Sequence, residues 1–244
     1  MQTDIKDQQK VIPRSRPAIH ETIVKWFAQQ KPGRVLDAPT GYGHLSMKLK
    51  ELGFDVVAGD IEPEVFRVKD IDCIYTDLNR KIDAPDNSFD YVCCVDGLEH
   101  MTDPYRAVEE FSRVLKPGGI GVFSIPNYAN IEKRLKFLLK GYLTGPKSVE
   151  DYEKAGKNLF NFHNSPLSIT LLDTMFSIYG LNLEEIRRDA VKKKQKFLIP
   201  LVLLIKFIAS TSSKNKQQKR RYDLTLKDEV ILGGNTIICI TKKI

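Results

Sequence analysis

The chain has 244 residues, 42% of them apolar, which fits one α/β domain with additions. Its four cysteines (Cys73, Cys93, Cys94, Cys239) sit in apolar runs without a C-x-x-C pair, which argues against a disulfide framework or a cysteine metal site. The net charge of +7 is local, because ten cations and no acid lie between Ala190 and Arg221, leaving the rest of the chain net negative.

The opening M-Q-T-D-I-K-D-Q-Q-K has no apolar core, so no secretory signal is expected and a cytoplasmic, reducing location follows. A loop with Pro13 and Pro17 leads into a helix expected over 18–29, with Ile19, Ile23, Trp26 and Phe27 on one face. Lys31-Pro32-Gly33 stops it. The run R-V-L-D-A-P-T-G-Y-G-H-L-S-M-K-L (34–49) reads as strand, tight turn and helix. Its strand ends in Asp37, and its turn carries Gly41 and Gly43, residues that allow positive φ or a close ligand approach. It is neither a G-x-G-x-x-G nor a P-loop motif.

A second strand over 55–60 ends in Asp60, and a third over 72–76 is followed by Asp77. A short helical piece separates them at 61–71, and 79–88 reads as a surface loop. The fourth strand, 91–95, is continuously apolar, as a central parallel strand should be. A helix over 104–115, a Pro117-Gly118-Gly119 turn and a fifth strand over 120–125 follow. Strands alternating with helices imply right-handed crossovers, and strand-terminal carboxylates lie where such sheets bind ligands.

Here the chain resembles the class I S-adenosylmethionine-dependent methyltransferases, closest to the small-molecule branch that includes the ubiquinone/menaquinone-type enzymes. The likeness covers about residues 30–127 and implies an α/β fold: a doubly wound, mostly parallel seven-stranded Rossmann-like sheet. S-adenosylmethionine is the implied cofactor. Asp37, Gly41 and Gly43 match the turn against its methionine part, with Ala38 and Pro39 inside the same turn. Asp60, followed by Ile61, matches the acceptor for the ribose hydroxyls, Asp77-Leu78 the adenine edge, and Asp96 falls in the loop beside the methyl group. Pro39 replaces the first motif glycine, removing an N–H and stiffening the turn.

The later chain departs from the minimal domain. Residues 1–30 read as an N-terminal loop and leading helix, and 31–244 as the methyltransferase domain, with insertions at about 128–167 and 190–225. Residues 129–143 form a basic amphipathic stretch, either a lid packed on the domain or a membrane-facing helix. Residues 145–165 are expected as a loop over the substrate side, followed by a helix over 168–179 and a sixth strand over 182–187. The seventh strand is expected over 235–241, antiparallel to the sixth. Between them, the apolar run 197–209 is flanked by lysines and is shorter than the roughly twenty residues a bilayer span takes. An apolar run among cations suits an anionic membrane surface; a core or dimer contact is the alternative.

For chemistry, His100 lies just after the fourth strand and is the candidate base, or else a brace for its loop. Glu99 and His163 are substrate-side candidates, His20 and His44 are expected to pack, and no residue spacing suggests a metal. The run Asp96-Gly97-Leu98-Glu99 lacks the Asn/Asp-Pro-Pro-Tyr/Phe motif of base amino-methylating enzymes, and no RNA-binding module is appended, so nucleic acid is not the expected substrate. The expectation is a membrane-peripheral methyltransferase, at the inner face of a membrane, acting on a lipid, lipid-linked glycan or quinone-type acceptor. A soluble small-molecule O- or N-methyltransferase with a dimerising apolar segment, and a non-catalytic cofactor-binding scaffold, are the alternatives.

Overall fold

The computed structural model describes residues 11–143, 148–157, 160 and 162–244. Seven strands, β1 (Arg34–Asp37), β2 (Asp55–Asp60), β3 (Cys73–Tyr75), β4 (Phe89–Val95), β5 (Leu115–Pro126), β6 (Leu181–Arg188) and β7 (Thr236–Lys243), form one sheet. Its order is β3-β2-β1-β4-β5-β7-β6. The first five strands are mutually parallel, and β7 runs antiparallel to both β5 and β6. The chain starts at β1, works outward to β3, and returns on the other side of β1 with β4. That reversal opens a crevice at the carboxyl ends of β1 and β4, where open α/β sheets take ligands.

Both sheet faces are covered, which is why β4 is apolar on both sides. One face packs helices α1 (Pro17–Phe27) and α2 (His44–Glu51): Ile19, Ile23, Phe27, Leu45 and Leu49 meet Val35, Tyr91 and Cys93. The leading helix is therefore part of the core, with Trp26 stacked edge-on to Phe27 and Tyr91. The other face packs α3 (Pro104–Val114) and, from later in the chain, Ile169–Ile178: Phe111, Val108, Leu172 and Phe176 meet Val92, Cys94 and Phe123. Cys93, Cys94 and Cys239 are buried among these apolar side chains. Burial pushes all three thiols up, Cys239 to about 12, so they act as small core groups.

The two insertions lock to each other. Between β5 and β6 lie α4 (Ile131–Lys140), α5 (Val149–Lys154) and α6 (Ile169–Ile178); between β6 and β7 lie α7 (Ile199–Ser210), α8 (Lys214–Lys219), α9 (Tyr222–Thr225) and α10 (Asp228–Ile231). Buried Asn127 and Asn130 donate their amides to the Val230 and Gly234 carbonyls, each at 2.8 Å. Arg134 donates to the Thr225 carbonyl at 2.6 Å. Ile131, Val202 and Ile231 form a small apolar cluster beneath α4 and α7.

Several boundaries differ from the expected ones. β5 starts at Leu115, so the Pro117-Gly118-Gly119 turn is a bulge inside the strand, between the pairs Phe89–Leu115 and Tyr91–Ile120. The 61–71 stretch narrows to a single 3-10 turn, Pro63–Val65. Residues 149–154, inside the expected substrate-side loop, form α5, because Ser148 and Asp151 make a reciprocal capping box. Of that loop, residues 145–147, 158, 159 and 161 lie outside the described residues, as do 1–10 of the N-terminal segment. The basic 190–225 segment continues into α9 and α10, whose Leu224, Val230 and Ile231 are buried.

Candidate active site

A cavity of about 680 Å³ runs along the carboxyl ends of β1, β2 and β4 and under the N-terminal segment. This is an ordinary volume for a small-molecule site. Of the expected cofactor residues, Asp37, Pro39, Gly41, Asp60, Ile61, Asp77, Leu78 and Asp96 line it, as do Glu99, His100 and His163. Ala38 and Gly43 do not. Ala38 is buried in the sheet core. Gly43 holds φ 88° at the start of α2, and a Cβ there would lie 2.5 Å from the Phe66 ring, so it lets the 63–68 segment close over the turn.

At the turn, every carboxylate is braced. Asp37 accepts from Thr40 Oγ1 at 3.0 Å and Ser46 Oγ at 2.5 Å, tying β1 to α2. Burial raises its pKa to about 6, with the two hydroxyls pulling the other way. Asp37 therefore shapes the turn from below. Asp60 accepts from the Gly41 N–H at 2.8 Å and the Glu62 N–H at 3.1 Å, one per oxygen. A carboxylate offers about four acceptor positions, so Asp60 keeps capacity for a vicinal diol. Asp77 accepts from the Asn79 N–H and side-chain amide and pairs with Arg80 at 3.1 Å. Pro39 is accommodated by Gly97 from across the cleft: a Cβ on Gly97 would lie 2.6 Å from Pro39 Cδ and 2.8 Å from Cys94 Sγ. The motif glycine missing at position 39 is matched by one in the facing loop.

The loop after β4 forms the other end. Asp96 holds φ 47°, a left-handed value uncommon outside glycine. Its N–H donates to Ser124 Oγ at 2.9 Å, and that hydroxyl donates back to Oδ1 at 2.7 Å. Glu99 is almost wholly buried, yet among the described residues its Oε2 has no hydrogen-bond partner. Burial, reinforced by Asp96, pushes its carboxyl up to about 8, so it is largely protonated at neutral pH.

His100 Nδ1 lies 2.9 Å from the Phe162 carbonyl, and burial lowers its pKa, leaving a neutral ring. The ring of His163 stands edge-on at 4.8 Å, and Tyr128 Oη lies 3.3 Å from His163 Nδ1. The 162–165 strap is held to this loop by Asn164 donating to the His100 carbonyl and Ser165 to the Met101 carbonyl. His100 thus faces the cavity and also braces the strap. One ligand atom each from Glu99, His100 and His163 falls within 4.8 Å of the others, a set able to hold a cation. The one-dimensional spacing hides it, because His163 comes from a distant insertion.

Several lining residues had no marker in the sequence. Tyr42 lies between two guanidiniums, Arg67 at 3.8 Å and Arg14 at 4.5 Å from its ring centre. Arg14, Arg16, Tyr128 and Lys133 line the same cavity. His20 and His44, expected to pack, also line it, with their Nδ1 atoms 3.1 Å apart. Burial, with the neighbouring His44, lowers His20 to about 4.

Residues 36–123 match the family described as a methyltransferase domain. An uncharacterized methyltransferase of Mycobacterium tuberculosis is 37% identical over 110 residues, 43% of this chain and 45% of that one. A ubiquinone biosynthesis O-methyltransferase of Paraburkholderia phymatum is 32% identical over 146 residues, 54% of this chain and 62% of that one. The chain thus spans about half the length of the curated relatives it matches. The crystal structure of a SAM-dependent methyltransferase from Archaeoglobus fulgidus superposes with a TM-score of 0.61 at 15% identity, over 94% of this chain and 95% of that one. Residues 36–123 are thus similar to a methyltransferase domain, the chain has the Rossmann-like fold of a SAM-dependent methyltransferase, and that likeness implies S-adenosylmethionine as cofactor. The residues present fit it, with a braced glycine turn, spare acceptor capacity on Asp60 and an adequate cavity.

Proposed function

We propose that the protein is a membrane-peripheral S-adenosylmethionine-dependent methyltransferase acting on a lipid, lipid-linked glycan or quinone-type acceptor. One observation carries the reading: a single cavity joins the braced glycine turn and Asp60 to buried Glu99, whose Oε2 has no partner among the described residues, beside His100 and His163. When bound, the cofactor supplies an activated methyl group whose transfer to a nucleophile turns a sulfonium into a neutral thioether. Asp60 would accept from the ribose hydroxyls, and Asp77 and Leu78 would border the adenine. Asp96, fixed by Ser124, sets the loop that separates donor from acceptor. Alignment and exclusion of water are the protein's main contribution. Where the acceptor is a hydroxyl, neutral His100 takes its proton.

The membrane half rests on exposed apolar side chains among cations. Phe197, Leu203, Leu204, Phe207 and Ile208 around α7, and Phe137, Leu138 and Leu139 on α4, are all more than half exposed. A patch of this kind on a monomer marks an interaction surface. Val202 and Ile131 anchor the two helices from beneath, so one side of each packs on the domain and the other faces out. Among the described residues no helix is long and apolar enough to cross a membrane. Near an anionic surface each basic side chain contributes about 1 kcal/mol.

The test offers methyl-labelled cofactor to membrane-lipid and aqueous extracts, alongside flotation with anionic vesicles. Label in the lipid fraction with salt-sensitive flotation is expected. Flotation should fail in a Leu204→Asp, Phe207→Asp variant. Label confined to aqueous metabolites, with no flotation of the intact protein, would reject the membrane reading.

A further inference from the structure

A set of like charges at the cavity mouth is left unbalanced by the fold. Arg16 and Lys133 both line the cavity, from the N-terminal segment and from the first turn of α4. Lys136 follows one turn later on α4, and Lys192, just before the 3-10 helix Lys193–Leu198, pairs with Glu132 of α4. Among the described residues Arg16 makes a long ion pair to Asp189, at 3.9 Å, and its charge is felt by Asp96. Among the described residues the Lys133 ammonium has no ion-pair or hydrogen-bond partner. Partial burial, and then Lys136, Lys192 and Arg16, lower its pKa, with only Glu132 opposing.

Like charges held this close destabilise a fold unless something of opposite sign joins them. Glu132 does not balance them, because it is one carboxylate already engaged by Lys192. Nor does the cofactor's own carboxylate require them, since the glycine turn has its own cation: Arg14 reaches over Gly41 and stacks on Tyr42. Of the acids lining the cavity, Asp37, Asp60, Glu62 and Asp77 sit at the glycine-turn end, Glu99 is largely protonated, and Asp96, in the loop after β4, feels the Arg16 charge.

Resting on the methyltransferase reading above, we propose that the acceptor carries a phosphate-type anion, received by Lys133 and Arg16 on the cavity wall, with Lys136, over the Tyr142 ring, and Lys192, paired with Glu132, adding positive field behind them. Two cations on one cavity wall, with further positive charge behind them, suit a group with two or more charges and several acceptor oxygens better than a single carboxylate. The same helix continues from Lys133 into exposed Phe137, Leu138 and Leu139. An amphiphile with its phosphate at Lys133 and its chain along α4 fits that order, and a phosphorylated water-soluble acceptor would use the same cations without the apolar strip.

The experiment measures thermal unfolding of the full chain saturated with S-adenosylhomocysteine, adding inorganic pyrophosphate or ionic-strength-matched sodium chloride. Pyrophosphate is expected to raise the melting temperature by about 2–4 °C beyond chloride. That shift is lost in Lys133→Gln, retained in Lys133→Arg, and retained in Lys219→Gln, whose lysine lies on α8 away from the mouth. A second arm floats the same variants with vesicles of phosphatidylcholine, with or without phosphatidic acid. Loss of phosphatidic acid-dependent flotation in Lys133→Gln identifies a lipid headgroup as the source; unchanged flotation with lost pyrophosphate binding identifies a soluble phosphate. No shift beyond chloride in the wild type, or an undiminished one in Lys133→Gln, overturns the proposal. Absence of any shift from S-adenosylhomocysteine alone would instead overturn the methyltransferase reading.

Discussion

At one end of the cavity, the carboxylates of Asp37, Asp60 and Asp77 already accept hydrogen bonds from the protein itself. At the other, Glu99 is buried with an oxygen that meets no donor, and Lys133 is a cation held among cations. A donor that never changes is best met by a rigid, pre-paired cradle, since ordering it on binding would cost affinity. Buried groups without partners are costly to the fold, and they persist where a ligand completes them. On the proposed function, the contrast separates a finished cofactor end from an acceptor end that a substrate would complete.

Disturbing the finished end should cost the most. Gly97→Val drives a side chain into Pro39 and Cys94, both tightly packed. A loss of about 3 kcal/mol is expected in urea unfolding, in the range for overpacking a close-packed site. Adding Pro39→Gly removes the ring that the introduced valine would strike, so the double variant should recover about 1 kcal/mol or more. Simple additivity would show that the two residues are not matched.

The open end should respond in the opposite sense. Glu99 has a folded pKa of about 8 against an ordinary value of 4.5. Its contribution to stability is therefore full below pH 4.5 and lost as the pH rises through 8. Glu99→Gln removes that loss and should stabilise the protein by about 2 kcal/mol at pH 9, with little change at pH 4. Methyl transfer should fall in the same variant. Unfolding curves from pH 4 to 9 that overlay for the two proteins would show that Glu99 is already satisfied. The smallest effect is expected at the boundary between the ends. Ser124→Ala removes the hydroxyl that both donates to and accepts from Asp96, at a cost of about 1 kcal/mol by denaturant titration.

The same division runs through what could be read from the sequence. The cofactor end is built from strand-turn-helix units close in sequence, so Asp37, Gly41, Asp60 and Asp77 announce themselves by following apolar strand runs. The first five strands are legible for the same reason, while the antiparallel β6–β7 pair is what the family resemblance implies. Burial still assigned some of these residues different work: Asp37 braces the turn from below, and Gly43 makes room for Phe66.

The acceptor end is assembled from distant segments, so its meaning appears only in space. Glu99 and His100 meet His163 because a strap is tied to their loop, Lys192 reaches Glu132 of α4 as buried asparagines dock one insertion on the other, and Lys133 shares the cavity wall with Arg16 of the N-terminal segment. Ser124 is one hydroxyl within an apolar strand, and nothing about its neighbours marks it as the partner of Asp96. The short helices α9 and α10 carry too few apolar residues to show a helical period, although buried Leu224, Val230 and Ile231 hold them in place.

The most direct test of the central claim is calorimetric titration of S-adenosylhomocysteine into the wild type and Asp60→Ala. The account predicts one site per chain in the wild type. Removing the carboxylate frees the Gly41 and Glu62 N–H groups and deletes the acceptor for the ribose hydroxyls, weakening binding about 100-fold, or about 3 kcal/mol. No heat of binding in a correctly folded wild type, or equal affinity in the two proteins, would contradict the assignment of this cleft as a methyl-donor site.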